Sequence, residues 1–214
     1  KIINFNNITI DFYDDLVKYW YAKNYSPNSI GKHIKTLKVI MRQAREEGLH
    51  SNEETERKSF KSIREQSYNI FLNETEIKKM YDLDLSDDLT LDLARDVFLI
   101  GCYTAQRYSD YSHITKSNIR PLQNGKKVID LYQQKTSEKV TIPVRRELEK
   151  ILKKYNYSVP KSYEQKINER IKIVGEKAGI IEPVEHETRQ GGLRKKTTIA
   201  KNKLIVTHTA RRSG

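Results

Sequence analysis

The sequence predicts a mainly α protein with a small antiparallel β-sheet, divided into a helical domain over 1–66, with a linker at its end, and an α+β domain over 67–214. Three observations carry this expectation. Apolar residues recur at helical spacing through the first third, a strongly apolar helix lies near residue 100, and two β-rich runs flank a polar turn after residue 127. At 214 residues the chain has room for a real hydrophobic core. Its charge is less ordinary: forty Lys and Arg against 28 Asp and Glu give a formal net charge of +12, which points to a polyanionic partner. Nucleic acid is the first candidate. A membrane surface is the second, but no apolar run approaches the ~20 residues that span a bilayer, and no N-terminal signal pattern is present.

In the first domain, Thr9 can cap a helix in which Phe12, Leu16, Tyr19 and Trp20 share a face. Ser26 and Pro27 start a longer helix, with Ile30, Ile34, Leu37, Met41 and Ala44 at helical spacing and a stop at Gly48. Its other face carries Lys32, Lys35, Lys38, Arg42 and Arg45 as one stripe. Such a stripe fits a solvated face or a contact with a DNA backbone, and the overall charge tilts the reading toward DNA. Residues 51–67 are polar and lack periodicity, as a linker would.

The second domain opens at Asn73 and Glu76, which can cap each other, with Leu72 stapled to Ile77. Leu93, Ala94, Val97, Ile100 and Gly101 build a buried helix that also contains Cys102, read as a core residue. Val128–Tyr132 and Val140–Val144 form a hairpin with Lys135 near its tip, and helical patterns return after Arg145 and from Ser162 to Ala178. From Thr188 onward the chain holds Arg189, Arg194, Lys195, Lys196, Lys201, Lys203, Arg211 and Arg212 and no acid. Gly191 and Gly192 make a flexible turn there, and Leu204, Ile205 and Val206 lead into a helix.

Three motifs bear chemistry. Thr104-Ala105-Gln106-Arg107-Tyr108-Ser109-Asp110 follows the apolar helix, Lys135 sits in the hairpin, and His208-Thr209-Ala210-Arg211-Arg212-Ser213 lies near the C-terminal end. An arginine fork matches the non-bridging oxygens of a phosphodiester, and a histidine one turn before Arg211 faces the same oxygens. His-x-x-Arg alone also fits a solvated helix face. His33, His50, His113 and His186 show no metal-ligand spacing, and one cysteine builds neither a disulfide nor a zinc site.

Together these motifs resemble the tyrosine recombinase (phage integrase) family, the site-specific integrases of mobile genetic elements, with a style closest to those of conjugative transposons. The resemblance implies a helical core-binding domain that clasps double-stranded DNA, followed by an α+β catalytic domain that uses neither metal nor cofactor. Arg107 and Arg211 would hold the scissile phosphate, His208 would assist proton transfer, Lys135 would protonate the leaving 5′-oxygen, and Asp110 would orient its neighbours. Lys32, Lys35, Lys38, Arg42, Arg45, Arg194, Lys195, Lys196 and Arg212 would bind DNA. The protein would work as a tetramer on DNA, in a prokaryotic cytoplasm at the nucleoid, and touch no membrane. Ala105-Gln106 departs from the Gly-Leu usual before the first arginine. The nucleophilic tyrosine follows the His-x-x-Arg helix in the family, so the catalytic domain is expected to be truncated at its C-terminus and the fragment itself inactive. Tyr108 and Tyr111 do not occupy the nucleophile's position. The rival readings are a non-catalytic DNA-binding regulator on the same fold, a type IB topoisomerase, and a basic RNA-binding or scaffold protein.

Overall fold

The computed structural model describes residues 3–66 and 68–214, apart from the side chains of Arg189 and Gln190, so that arginine of the basic stretch lies outside the described side chains. The chain divides into two compact units, Lys1–Tyr68 with Glu185–Thr197, and Asn69–Val184 with Thr198–Gly214. The partition read from sequence keeps everything after residue 67 together; the segment Glu185–Thr197 groups instead with the first unit.

The first unit is built on α1 (Ile10–Ala22) and α2 (Pro27–Glu46). Thr9 and Ser26 cap them through their hydroxyls, and Pro27 sits in the first turn of α2, where a missing N–H costs nothing. The expected stripe of α1 is kept in part, with Phe12 and Trp20 packed against the core. Tyr13 is buried with Val17 and Trp20 packed beside it, whereas Tyr19 is 56% exposed. Tyr13, Val17 and Trp20 have the same helical spacing as Phe12, Leu16 and Tyr19, so periodicity could not choose between them. Residues 52–65, expected as a linker, complete this unit. Phe60 is fully buried, Asn52 donates to the carbonyls of Phe5 and Ile8 at 2.7 and 3.0 Å, and Tyr13 Oη donates to Lys61 O at 2.9 Å. Asn28 both donates to Glu65 O and accepts from Glu65 N. Gly31 lets this segment cross α2: a Cβ there would stand 1.7 Å from Ile63 O. One aromatic anchor and side chains that pair with backbone hold the segment, and neither leaves a periodic signal.

The second unit surrounds α4 (Leu89–Thr104), in which Leu91, Ala94, Val97, Phe98, Leu99, Ile100 and Cys102 are buried. A helix that is apolar on nearly every side belongs at the centre. Around it lie α3 (Glu74–Asp82), α6 (Arg146–Lys154), α7 (Glu164–Lys177) and the short helices α5 (Tyr108–Tyr111) and α8 (Thr207–Ser213). Asn73 and Glu76 form their reciprocal cap at 2.9 and 2.7 Å. Buried Asp96 is satisfied by Arg95, Lys154 and the Tyr155 hydroxyl. Strands β1 (Ile119–Pro121), β2 (Lys127–Tyr132) and β3 (Lys139–Pro143) pair antiparallel in that order, with Ile129 opposite Ile142 facing the core.

Strands β4 (Pro183–Gln190) and β5 (Leu193–Ala200) form a separate hairpin turning at Gly191 and Gly192, both at positive φ. Two of the three basic residues of β5 are paired, Arg194 with Glu187 and Lys196 with Glu185. Among the described residues no helix is long and apolar enough to cross a membrane.

Candidate functional site

The end of α4 generates the site. Ala105 closes the helix in the left-handed region at φ 54°, its N–H reaching Gly101 O, and this reversal throws Gln106 and Arg107 out of the helix path. Arg107 then starts α5, its carbonyl accepting from the N–H groups of Asp110 and Tyr111. Its side chain is 23% exposed, with Nη1 3.7 Å from Asp110 Oδ2. Neither of those two buried atoms has a hydrogen-bond partner among the described residues. The ion pair with Asp110 holds the guanidinium, and the exposed part of the side chain is left to meet an anionic oxygen.

The turn of the β2–β3 hairpin carries Lys135, which is exposed. The structure ties this hairpin to the Arg107 loop. Asp110 Oδ1 accepts the Gln134 N–H at 2.9 Å and Gln106 Oε1 accepts Gln133 Nε2 at 2.6 Å. Ser137 turns the chain back at φ 56°.

His208 and Arg211 ride on α8. Seven residues make a poor helix in isolation, so its placement depends on bonds from outside. Asn168 on α7 accepts the Thr207 N–H at 2.7 Å, Glu164 accepts the Thr207 hydroxyl, and Ser213 Oγ accepts the Leu72 N–H at 2.8 Å. The helix lies against α4 at Gly101, where an added Cβ would stand 3.0 Å from Ala210 Cβ and 2.7 Å from the Tyr111 ring. His208 and Arg212 are exposed and Arg211 half-buried. The elements bearing Arg107, Lys135, His208 and Arg211 thus all meet around the last turn of α4.

Burial pushes the Tyr111 phenol far above the usual tyrosine range, and its buried hydroxyl has no partner among the described residues. The Tyr108 hydroxyl donates to Ser162 O at 2.6 Å. Both tyrosines are packing residues. Among the described residues no group of three His, Cys, Asp or Glu side chains is placed to hold a metal ion.

The expected DNA-contacting set separates into groove-lining residues, residues paired with carboxylates, and the exposed Lys195 and Arg212. Lys32, Lys35, Lys38 and Arg42 line a groove of about 940 Å³ with Arg64 and Asn28. Lys38 also donates to Phe60 O at 2.8 Å. Arg45 lies on the same helix but pairs with Glu53 and Glu56 at 3.1 and 2.7 Å, and Arg194 and Lys196 are paired within their hairpin. Lys195 is exposed. Sequence reasoning missed Gln106, Gln133 and Arg64; only the motif neighbourhood of the two glutamines could have drawn attention to them.

Residues 1–62 match the phage integrase SAM-like domain. No curated protein matches the sequence significantly. A lambda integrase tetramer bound to a Holliday junction superimposes on 87% of the chain with a TM-score of 0.62 at 17% identity, and the chain spans 57% of that protein's length. A lambda integrase (75–356) dimer bound to a COC′ core site also aligns with 87% of the chain, at a TM-score of 0.64 and 17% identity, over 68% of its own length. At this identity the likeness is one of fold: the chain has the fold of lambda integrase.

Proposed function

We propose that this chain is the core-binding and catalytic portion of a tyrosine-type site-specific DNA recombinase, the integrase of a mobile element, acting on double-stranded DNA as a tetramer. The observation that supports this most is the meeting, around the end of α4, of the elements that carry Arg107, Lys135, His208 and Arg211. An arginine that only bound a DNA backbone would gain little from being three-quarters enclosed and ion-paired with buried Asp110; one that holds a phosphorus centre gains pre-organisation. That favours an enzyme over a non-catalytic regulator of the same fold.

On this reading the attacking tyrosine belongs to a segment after residue 214. Its oxygen bonds to phosphorus as the bond to the 5′-oxygen breaks, leaving a 3′-phosphotyrosyl linkage that a new 5′-hydroxyl later reverses. Arg107 and Arg211 bind the non-bridging oxygens as charge builds on them, His208 assists proton transfer, and Lys135 delivers a proton to the departing alkoxide. Lys32, Lys35, Lys38, Arg42 and Arg64 line the groove of the first unit that takes the DNA backbone, with Lys195 and Arg212 as further contacts. Arg45, Arg194 and Lys196 already have carboxylate partners and are assigned to structure instead.

The test is covalent trapping of the full-length protein on a nicked duplex of its element ends. Arg107→Ala and Arg211→Ala are each expected to slow adduct formation by about 100- to 1000-fold, with noncovalent affinity for the same duplex nearly unchanged, because one phosphate contact among many adds little to binding. Absence of any adduct from the unmodified protein would favour the regulator.

A further inference from the structure

Lys135 stands in a turn, Gln133 to Glu138, whose residues are almost all exposed and whose backbone is held chiefly by Gln133 at its base. The two residues that flank it are nevertheless fixed, and by the side chains that flank Arg107. Asp110 Oδ1 takes the N–H of Gln134 at 2.9 Å. On the other side the Thr136 hydroxyl donates to Gln133 Oε1 at 2.9 Å, Gln133 Nε2 donates to Gln106 Oε1 at 2.6 Å, and Gln106 Nε2 donates to Thr104 O at 3.1 Å. Each amide accepts with its oxygen and donates with its nitrogen, so these three bonds run in one direction from the turn to the end of α4. Turning either amide over would set oxygen against oxygen. Gln106 is buried and Gln133 half-buried, so water does not readily replace these bonds.

Resting on the recombinase reading, we infer that Gln106 and Gln133 are positioning residues that set the Lys135 ammonium against the leaving 5′-oxygen of the phosphate held by Arg107. They touch neither DNA nor the reacting atoms. Their work is to fix the backbone on which Lys135 stands relative to the loop of Arg107, so that only the lysine's own side-chain torsions remain to be ordered when DNA binds.

The test uses the full-length protein carrying Gln106→Leu or Gln133→Leu, the latter on the half-buried turn and so tolerated even where the former disturbs folding. Amide hydrogen exchange at residues 134–138 should quicken by about tenfold, with α4 and α8 unchanged. Adduct formation should fall by up to about 100-fold on a duplex with the natural 5′-oxygen. On a duplex whose leaving oxygen is replaced by sulfur, which departs without a proton, it should stay near that of the unmodified protein. Lys135→Ala combined with Gln106→Leu should lose no more than Lys135→Ala alone. Equal losses on both duplexes, or unchanged exchange at the turn, would overturn the assignment. Failure of the unmodified protein to react with either duplex removes the recombinase reading and the leaving-group role with it, while the exchange rates still decide whether the two amides tether the turn.

Discussion

Ala105 holds the end of α4 in a backbone conformation that suits glycine, at φ 54°. An L-residue there crowds its Cβ against the following carbonyl at a cost of roughly 1–2 kcal/mol, while glycine in its place would bring back part of that loss as extra freedom of the unfolded chain. Ala105→Gly should therefore raise stability by about 0.5–1 kcal/mol, read as a higher urea midpoint at unchanged slope; a lower midpoint would mean that the methyl group packs more than it strains. The motifs that carry Arg107, His208 and Arg211 stand out in sequence because they are short, ordered and chemically peculiar, and on the recombinase reading they form the site. Gln106 and Gln133 do not stand out, because an amide pair formed across 27 residues has neither period nor charge to mark it. Arg45 and Lys35 look alike on one helical stripe, and only the carboxylates of Glu53 and Glu56, which arrive from outside the helix, tell them apart.

Helix starts were the most readable elements, as at Thr9, Ser26 and Asn73. Asp88, which the sequence reading did not single out, caps α4 by accepting from the Thr90 hydroxyl at 2.8 Å and from the N–H groups of Thr90 and Leu91. The Thr90 hydroxyl first, and then the Leu91 N–H, hold its carboxyl below the usual carboxylate range. A folded-state value below the unfolded one of ~3.9 means stability that is present above about pH 4 and is lost as pH falls through the folded value. Asp88→Asn keeps an accepting oxygen and does not titrate. Thermal melts from pH 7 to about pH 2.5 should accordingly show the two proteins' midpoints converging only in the acid limb; curves that stay parallel would mean the cap contributes nothing to acid sensitivity. The β4–β5 hairpin was hidden for the opposite reason: acids on one strand pair with bases on the other, and no apolar alternation announces a strand. Residues 52–65 were hidden because one buried aromatic, Phe60, and side chain to backbone bonds such as those of Asn52 and Asn28 hold them, and neither has a period.

For the molecule as a whole, a net charge of +12 overstates the cations available to a polyanion. On the recombinase reading, replacing Lys32, Lys35 and Arg42 by Gln should lower the slope of log affinity against log salt by ~0.9 for each phosphate no longer neutralised, alike on unrelated duplexes. Arg45→Gln should leave that slope nearly alone and lower the melting temperature instead, since it unpairs Glu53 and Glu56. An Arg45 effect on the slope equal to that of Lys35 would place both on the DNA. Composition points to a polyanionic partner but not to the division of labour among like charges, which is settled by neighbours brought in from elsewhere in the chain.

One absent carbon sets how closely α8 approaches α4. Gly101 leaves room for the Tyr111 ring and for Ala210 where a Cβ would meet them at 2.7 and 3.0 Å. Every missense change open to a glycine codon adds that atom, so in heritable terms position 101 has no conservative neighbour. A lineage could drift at Arg212 or Lys195 and keep the fold, yet its spacing between the two arginine-bearing elements is hostage to a residue with no side chain at all.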